Sequence, residues 1–118
     1  MKYKLLDNGL KSIFKKYDIF IIDLWGVIHN GINLHQSAME VLKNLKINNK
    51  EFFLVSNAPR PRDSVANFLK TLKMNEEYFE HIYTSGDVAL ESLKSKKFGS
   101  KFFHIGPPRD FDLFIEFK

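Results

Sequence analysis

The sequence predicts an α/β domain with a parallel sheet and flanking helices. Two observations carry this prediction. Short apolar runs rich in β-branched and aromatic residues alternate with stretches of helical periodicity, and the first two runs end in polar residues. Alternating strands and helices favour parallel strands joined by right-handed crossovers. Since ligands of such sheets bind beyond the carboxyl ends of the strands, functional groups are expected there.

The first half of the chain predicts a helix, a strand, a loop and a second helix. Helical spacing of apolar residues covers residues 9–16, after a turn at Asn8-Gly9. The continuous apolar run at residues 19–22 predicts a buried strand over residues 19–23, of the kind covered on both faces. A loop follows at residues 28–35, and apolar residues at i, i+3, i+4 and i+7 predict a helix over residues 37–45.

The second half repeats this pattern. Apolar runs predict strands over residues 52–55, 81–84 and 101–105. Helical spacing follows the first two of these runs, at Val65, Phe68, Leu69 and Leu72, and at Ala89, Leu90 and Leu93. Thr84, with Asp87 three residues later, predicts a capping box at the start of the last helix.

Composition limits the classes of protein. The 118 residues are 44% hydrophobic, which suffices for one domain or part of a larger one. The chain has no cysteine, which excludes disulfides and thiolate zinc sites. No apolar run approaches the roughly 20 residues of a membrane span, and the N-terminus lacks the apolar segment of a signal peptide. A cytoplasmic protein without a membrane partner is expected.

The net charge of +4 arises from lysines spread over the predicted helices, a pattern typical of solvated helix surfaces. A nucleic-acid interface would concentrate positive charge on one face, with exposed aromatic residues between. Here the phenylalanines lie mostly in apolar runs, so no nucleic-acid partner is predicted. A small anionic substrate is compatible with the charge.

The first strand ends in a carboxylate, Asp23. Apolar surroundings require such a group to be paired, hydrogen-bonded or metal-bound, because burying even a neutral polar group unpaired costs about 2–7 kcal/mol. Asp23 is therefore predicted to be a nucleophile or metal ligand, and the turn at Gly26 to present backbone N–H groups to an anion. His29 could titrate near neutrality, although a lone loop histidine is more commonly a polar surface residue.

The second strand ends in Ser56, which could hold a ligand or cap the following helix. Arg60 could contact substrate or be solvated. Asp87 could be a distant acidic helper, although helix capping is the commoner role. His104 lies in a predicted strand, where a histidine is more often a core or edge residue than a ligand. None of the four histidines has zinc-type spacing.

Four motifs in order resemble the haloacid dehalogenase-like (HAD) superfamily, and within it subfamily IIA. They are residues 22–31 (Ile-Asp-Leu-Trp-Gly-Val-Ile-His-Asn-Gly), 54–61 (Leu-Val-Ser-Asn-Ala-Pro-Arg-Pro), 83–88 (Tyr-Thr-Ser-Gly-Asp-Val) and 104–106 (His-Ile-Gly). The resemblance implies that residues 1–100 form the N-terminal half of a Rossmann-like HAD core. Residues 101–118 would then begin a cap domain, with the chain ending inside it.

The resemblance also implies a site. Asp23 matches the nucleophile that becomes an aspartyl phosphate, and covalent catalysis by a carboxylate splits one displacement into two. Mg²⁺ would be held by the Asp23 carboxylate and the main-chain carbonyl of Trp25. The implied phosphate-binding residues are Gly26, Ser56, Asn57 and Arg60.

The sequence departs from the family pattern at two points. Position 25 normally carries a second aspartate that acts as general acid and base, a contribution of about 10²–10⁴ in rate, but here it is Trp25. The lysine and the acidic pair of the later motifs follow the cap and are not in this sequence. Either the leaving group needs no proton, or another group supplies it, or turnover is slow. This chain is expected to be a poor catalyst, and an open sheet edge would favour self-association.

The favoured interpretation is a Mg²⁺-dependent phosphomonoesterase that acts on small phosphorylated metabolites and is impaired in this truncated chain. An alternative is a non-catalytic phosphate-binding or protein-interaction module. A receiver-like phospho-acceptor domain would need an N-terminal acidic pair and a later lysine, and neither is in place.

Overall fold

The computed structural model describes residues 9–117. It contains three strands and three α-helices in alternation. They are β1 (Ile19–Asp23), α1 (Gln36–Ile47), β2 (Glu51–Ser56), α2 (Arg62–Thr71), β3 (Ile82–Thr84) and α3 (Ser85–Lys94). The predicted turn at Asn8-Gly9 lies partly outside the described residues.

The strands form one sheet in the order β1-β2-β3. β2 and β3 are parallel, and the register pairs Leu54 with Ile82 and Ser56 with Thr84. The predicted α/β fold, with a parallel sheet and flanking helices, is confirmed. The polar residues predicted to follow the strands therefore do occupy strand ends.

The chain divides into two compact units, Met1–Phe53 and Leu54–Lys118, and the division falls within β2. In the described part of the first unit, Leu24, Ile28, Leu42 and Leu45 are buried. Leu42 and Leu45 lie three residues apart on α1, as the helical period predicts.

The burial of β1 differs from the expectation. The apolar run was predicted to be buried on both faces, yet its residues alternate between exposed and half-buried, and Ile21 is 76% exposed. Successive side chains of a strand point to opposite faces of the sheet, and in the described structure only one face is covered.

The second unit is built around β3, which contacts both α2 and α3. Its buried apolar residues come from two strands, one helix and two other segments. They are Leu54, Val65, Leu69, Met74, Ile82 and Leu113. On the opposite face of the strands, the register partners Val55 and Tyr83 are exposed.

The predicted helix over residues 9–16 is instead two short 3₁₀ helices, Gly9–Ser12 and Phe14–Lys16. The Ser12 hydroxyl donates to the carbonyl of Gly9 at 3.1 Å. Such local side-chain bonds compete with regular α-helical hydrogen bonding.

The predicted strand at residues 101–105 is wrong, because that segment is irregular and leads into a 3₁₀ run, Pro108–Phe117. A strand needs a partner ladder, whereas this segment is held by ring contacts of His104. Its imidazole lies 5.5 Å from the ring of Phe111 and 4.7 Å from that of Phe114. His104 is thus a packing residue, as the commoner role suggested.

No helix within residues 9–117 combines the length and apolar character needed to cross a bilayer.

Candidate functional site

Asp23 is the last residue of β1, and its side chain is exposed. Its Oδ1 accepts a hydrogen bond from the N–H of Leu24 at 2.8 Å. The carboxylate is therefore hydrogen-bonded, as a strand-end acid requires, but it faces water and not the core. Among residues 9–117, this backbone donor alone bonds the carboxylate, which orients the group while leaving it accessible.

The segment after Asp23 folds onto the carbonyl of Leu24, which accepts hydrogen bonds from the N–H groups of Val27, Ile28 and His29. Leu24 and Ile28 are both buried. Gly26 adopts φ +77°, a conformation that favours glycine, and its N–H donates to the carbonyl of His29 at 2.8 Å. The loop thus uses the Gly26 N–H itself, and the role of Gly26 in anion binding stays a prediction.

His29 is not a surface residue, since only 5% of it is exposed. Its Nδ1 accepts a hydrogen bond from the N–H of Gly31 at 3.0 Å. Burial lowers the pKa of His29, the nearby His35 lowers it further, and the Asp23 carboxylate partly opposes both. His29 is therefore neutral at pH 7 and supports the loop, which corrects the expectation of a solvated histidine.

Trp25 lies on the outside of this loop and is 63% exposed. Its ring meets the imidazole of His29 edge to face, with centroids 5.4 Å apart and an interplanar angle of 89°. The far edge of the indole covers Gly31, where an added Cβ would lie 2.7 Å from Cη2. Glycine is favoured there by this contact and by its φ of +89°.

Ser56 ends β2 and is 9% exposed. Its Oγ accepts a hydrogen bond from the N–H of Ala58 at 3.2 Å. The helix that follows has Pro61 at its N-cap, so the alternative in which Ser56 caps that helix is wrong. The hydroxyl instead forms a local turn that bends the chain away from the strand.

The loop from Asn57 to Pro61 is held by the turn between β3 and α3. Thr84 Oγ1 donates to the carbonyl of Arg60 at 2.8 Å and accepts from the N–H of Asp87 at 3.0 Å. The N–H of Gly86 donates to the carbonyl of Ala58 at 3.1 Å. The loop that follows Ser56 is thus anchored at two of its carbonyls, those of Ala58 and Arg60.

The predicted capping box is half correct. Thr84 caps α3 as expected, but the carboxylate of Asp87 accepts from the N–H of Arg62 at 3.0 Å and so satisfies the first turn of α2. A negative charge at that position also favours the positive end of the helix dipole. Asp87 is a capping residue, in line with the commoner of the two predicted roles.

Sequence reasoning missed Gly86 as a site-supporting residue. An added Cβ there would lie 2.3–2.5 Å from backbone atoms of Arg60. The signal available was the Ser85-Gly86-Asp87 turn directly after a strand, which was interpreted only as a helix start.

The predicted site residues fall into two loops. Asp23, Trp25 and Gly26 share the loop after β1, and Ser56, Asn57 and Arg60 share the loop after β2. Asn57 is exposed and Arg60 half-buried. That both loops act on one phosphate stays a prediction.

The loop after β1 offers oxygen donors of the kind that Mg²⁺ prefers. They are the exposed Asp23 carboxylate and the carbonyl of Trp25, which accepts no hydrogen bond from the described residues. No group of three or more histidine or acidic side chains suited to a metal occurs within residues 9–117. The donors fit Mg²⁺ as a partial set, since this ion commonly keeps several waters and binds one or two carboxylates together with substrate phosphate.

Comparisons with solved structures extend the fold assignment. A haloacid dehalogenase-like hydrolase from Brucella suis 1330 is 29% identical over 90% of this chain and 38% of its own, with a TM-score of 0.80. A 4-nitrophenylphosphatase from Thermotoga maritima is 22% identical over 84% of this chain and 38% of its own, with a TM-score of 0.64.

A possible sugar phosphatase from Cytophaga hutchinsonii ATCC 33406 is 21% identical over 74% of this chain and 31% of its own, with a TM-score of 0.61. The last two likenesses concern the fold alone. The chain spans less than two fifths of each of these three structures. No curated protein matches it.

The family model for haloacid dehalogenase-like hydrolases matches residues 20–117, from β1 through the C-terminal 3₁₀ run. The match includes both loops described above. The chain therefore belongs to the haloacid dehalogenase-like hydrolase family.

Proposed function

We propose that this protein is a Mg²⁺-dependent phosphomonoesterase of subfamily IIA that acts through an aspartyl phosphate. The observation that carries the proposal is the Asp23 carboxylate, exposed at the end of β1 and oriented by the Leu24 N–H. Family membership supplies the reaction class, because the chain belongs to a hydrolase family.

In the proposed reaction, an oxygen of Asp23 attacks the phosphorus of a phosphate monoester. A bond forms between Asp23 and phosphorus, and the bond from phosphorus to the ester oxygen breaks. The alcohol leaves as its anion with the bonding electron pair and takes a proton from water. Water then hydrolyses the aspartyl phosphate, which releases inorganic phosphate and restores the carboxylate. The Leu24 N–H holds one carboxylate oxygen at 2.8 Å and leaves the other available for the attack.

The loop after β2 supplies the proposed phosphate contacts, namely Ser56, Asn57 and Arg60. Phosphoryl transfer asks mainly for positioning and charge stabilisation. The Ser56 hydroxyl is suited to positioning because it is buried at a strand end and already fixed by the Ala58 N–H. When bound, Mg²⁺ would neutralise charge on the phosphoryl oxygens, with Asp23 and the Trp25 carbonyl as its protein ligands.

We propose that turnover is slow for esters whose leaving group must be protonated. Trp25 has no acidic proton to give, and His29 is buried and neutral, with Nδ1 already accepting from Gly31. General acid help of about 10²–10⁴ is thus not supplied by the loop after β1.

The test is phosphate release from 4-nitrophenyl phosphate by the unaltered protein and by Asp23→Asn, each with Mg²⁺ and with a chelator. We expect Mg²⁺-dependent release that Asp23→Asn lowers at least about 10³-fold, because the amide cannot act as the nucleophile. Asp63→Asn is the matched control, since that carboxylate is exposed on α2.

Equal release by Asp23→Asn and the unaltered protein would overturn the proposal, and so would phosphate binding without any turnover.

The substrate is proposed to be a small phosphorylated metabolite, and the location cytoplasmic. Self-association through β1, an end strand of the sheet order, is also proposed. Light scattering tests that part, and a monomeric mass at all concentrations would contradict it.

A further inference from the structure

The exposed indole of Trp25 is unusual because it is held in place. A freely rotating surface tryptophan would have no fixed neighbours, whereas this ring meets His29 edge to face at 5.4 Å and lies on Gly31. Both supports belong to the same loop as Asp23, so the ring is fixed in relation to the loop that carries the carboxylate.

The supports of the ring are themselves fixed. His29 is buried and accepts the N–H of Gly31. Asn30 Oδ1 accepts from the N–H groups of Ile32 and Asn33 at 3.0 and 2.8 Å, which closes the tip of the loop. A pre-organised aromatic surface loses little conformational freedom when it binds a ligand.

Residue 25 also offers polar groups. Within the described residues, its main-chain N–H and carbonyl make no hydrogen bond, although the N–H groups on either side, of Leu24 and Gly26, are used. One residue therefore presents an open N–H donor, an open oxygen and a broad apolar ring, two positions from a carboxylate. A phosphate ester with a planar aromatic group has the complementary pair of features.

The leaving group can be specified further. Residues 24–31 contain no acidic side chain, and their single histidine accepts a hydrogen bond through Nδ1. A leaving group that departs as a stable anion needs no proton from this loop. Phenolates meet this condition far better than alkoxides, because phenols have a pKa of about 10.

We propose that Trp25 is a specificity-determining residue whose indole stacks on the planar aromatic leaving group of a phosphate monoester. This inference rests on the function proposed above and names its substrate class. Aromatic pairs contribute a preference of roughly two- to tenfold in affinity.

Binding without turnover gives the direct test. Calorimetric titrations compare phenyl phosphate with methyl phosphate in the Asp23→Asn background, with residue 25 kept as Trp, changed to Phe or changed to Ala. We expect phenyl phosphate to bind roughly two- to tenfold more tightly with Trp. Phe should retain most of this preference, and Trp25→Ala should abolish it. Trp25 is the only tryptophan in the chain, so its fluorescence should change with phenyl phosphate and not with methyl phosphate.

Each outcome is decisive. An aryl preference that survives Trp25→Ala, or a silent Trp25 fluorescence signal on phenyl phosphate binding, overturns the stacking role. Equal binding of both esters by every variant overturns it too, while leaving the phosphatase proposal intact if phosphate release depends on Asp23. If neither ester binds nor is hydrolysed, both proposals fail. Circular dichroism of each variant verifies that it is folded.

Discussion

The two strand ends of this protein hold their functional groups in opposite ways. After β1, the carboxylate of Asp23 is exposed, and the loop that follows closes on its own backbone through the Leu24 carbonyl. After β2, the hydroxyl of Ser56 is buried, and the loop that follows is anchored by side chains and backbone of a distant turn. The first end depends on local sequence, whereas the second depends on residues about 25 positions away.

The two strand ends suit different roles, since the end of β1 suits a reactive group and the end of β2 suits a positioning group. A nucleophile must be reached by substrate, so the exposed end suits Asp23. A positioning hydroxyl gains from low mobility and restricted water, so the buried end suits Ser56. The comparison predicts that changes in the β3–α3 turn affect the second end and spare the first.

Among changes around the end of β2, the largest expected effect comes from Ser56→Ala. Removing one fixed donor to the transferring group should lower kcat about 10²-fold, while the lost bond to the Ala58 N–H costs only about 1 kcal/mol of stability. Steady-state kinetics together with urea unfolding separate the two effects. Ser92→Ala on α3 is the control, and an unchanged kcat for Ser56→Ala would remove Ser56 from the site.

Residues 84–87 anchor the loop after β2, and Gly86→Ala should lower stability more than any other change in this anchor. The new methyl group would meet backbone atoms of Arg60 at 2.3–2.5 Å. Overpacking of this kind costs typically 1–3 kcal/mol, and we expect the upper part of that range because backbone atoms cannot rotate away. Urea unfolding measures the loss. Ser85→Ala, at an exposed neighbouring position, should be nearly neutral, and a neutral Gly86→Ala would show that the anchor is loose.

Asp87 gives a smaller effect at the same anchor. Asp87→Ala should lower the free energy of unfolding by about 1 kcal/mol, because the Arg62 N–H loses its acceptor and α2 loses a favourable charge. Asp87→Asn should recover much of that loss, since the amide oxygen still accepts. Thermal unfolding of both variants measures this order, and equal losses would point to the charge as the main contribution.

The smallest expected effect is a pH dependence of stability that arises from His29, in the loop after β1. Because the folded-state pKa of His29 lies below its usual 6.5, its contribution to stability is fully present above pH of about 6.5. That contribution is lost as the pH falls from there through the folded-state pKa. Protonation would also place a donor at Nδ1 against the Gly31 N–H.

Trp25 reports this titration, because its ring contacts His29. We expect the fluorescence of Trp25 to titrate with a midpoint below 6.5, and His35→Asn to raise that midpoint by removing a repelling charge. A midpoint at or above 6.5 in the unaltered protein would contradict the buried, neutral His29.

Sequence patterns predicted what depends on periodicity. The spacing of Leu42 and Leu45 identified α1, and the apolar run before Ser56 identified β2. They failed where the outcome depends on tertiary contacts. Residues 101–105 have the composition of a strand but are held by the His104 ring contacts, and no local signal distinguishes the two.

The candidate site shows the same division. Asp23 and Ser56 could be selected because each ends a predicted strand. The burial of His29 and the close approach of Gly86 to Arg60 could not be predicted, because both depend on how a loop folds and not on the periodicity of a strand or helix.

The anchored loop has a consequence for how this protein can diversify. A segment tied at Ala58, Arg60 and Arg62 has a fixed length, and an inserted residue would break at least one tie. The tip beside Trp25 is closed by bonds among its own residues, from the N–H groups of Ile32 and Asn33 to Asn30 Oδ1, so a longer tip can re-form such bonds without a distant partner. New substrate preferences are therefore more readily evolved, or engineered, by lengthening the tip near Ile32 than by remodelling the segment behind Ser56.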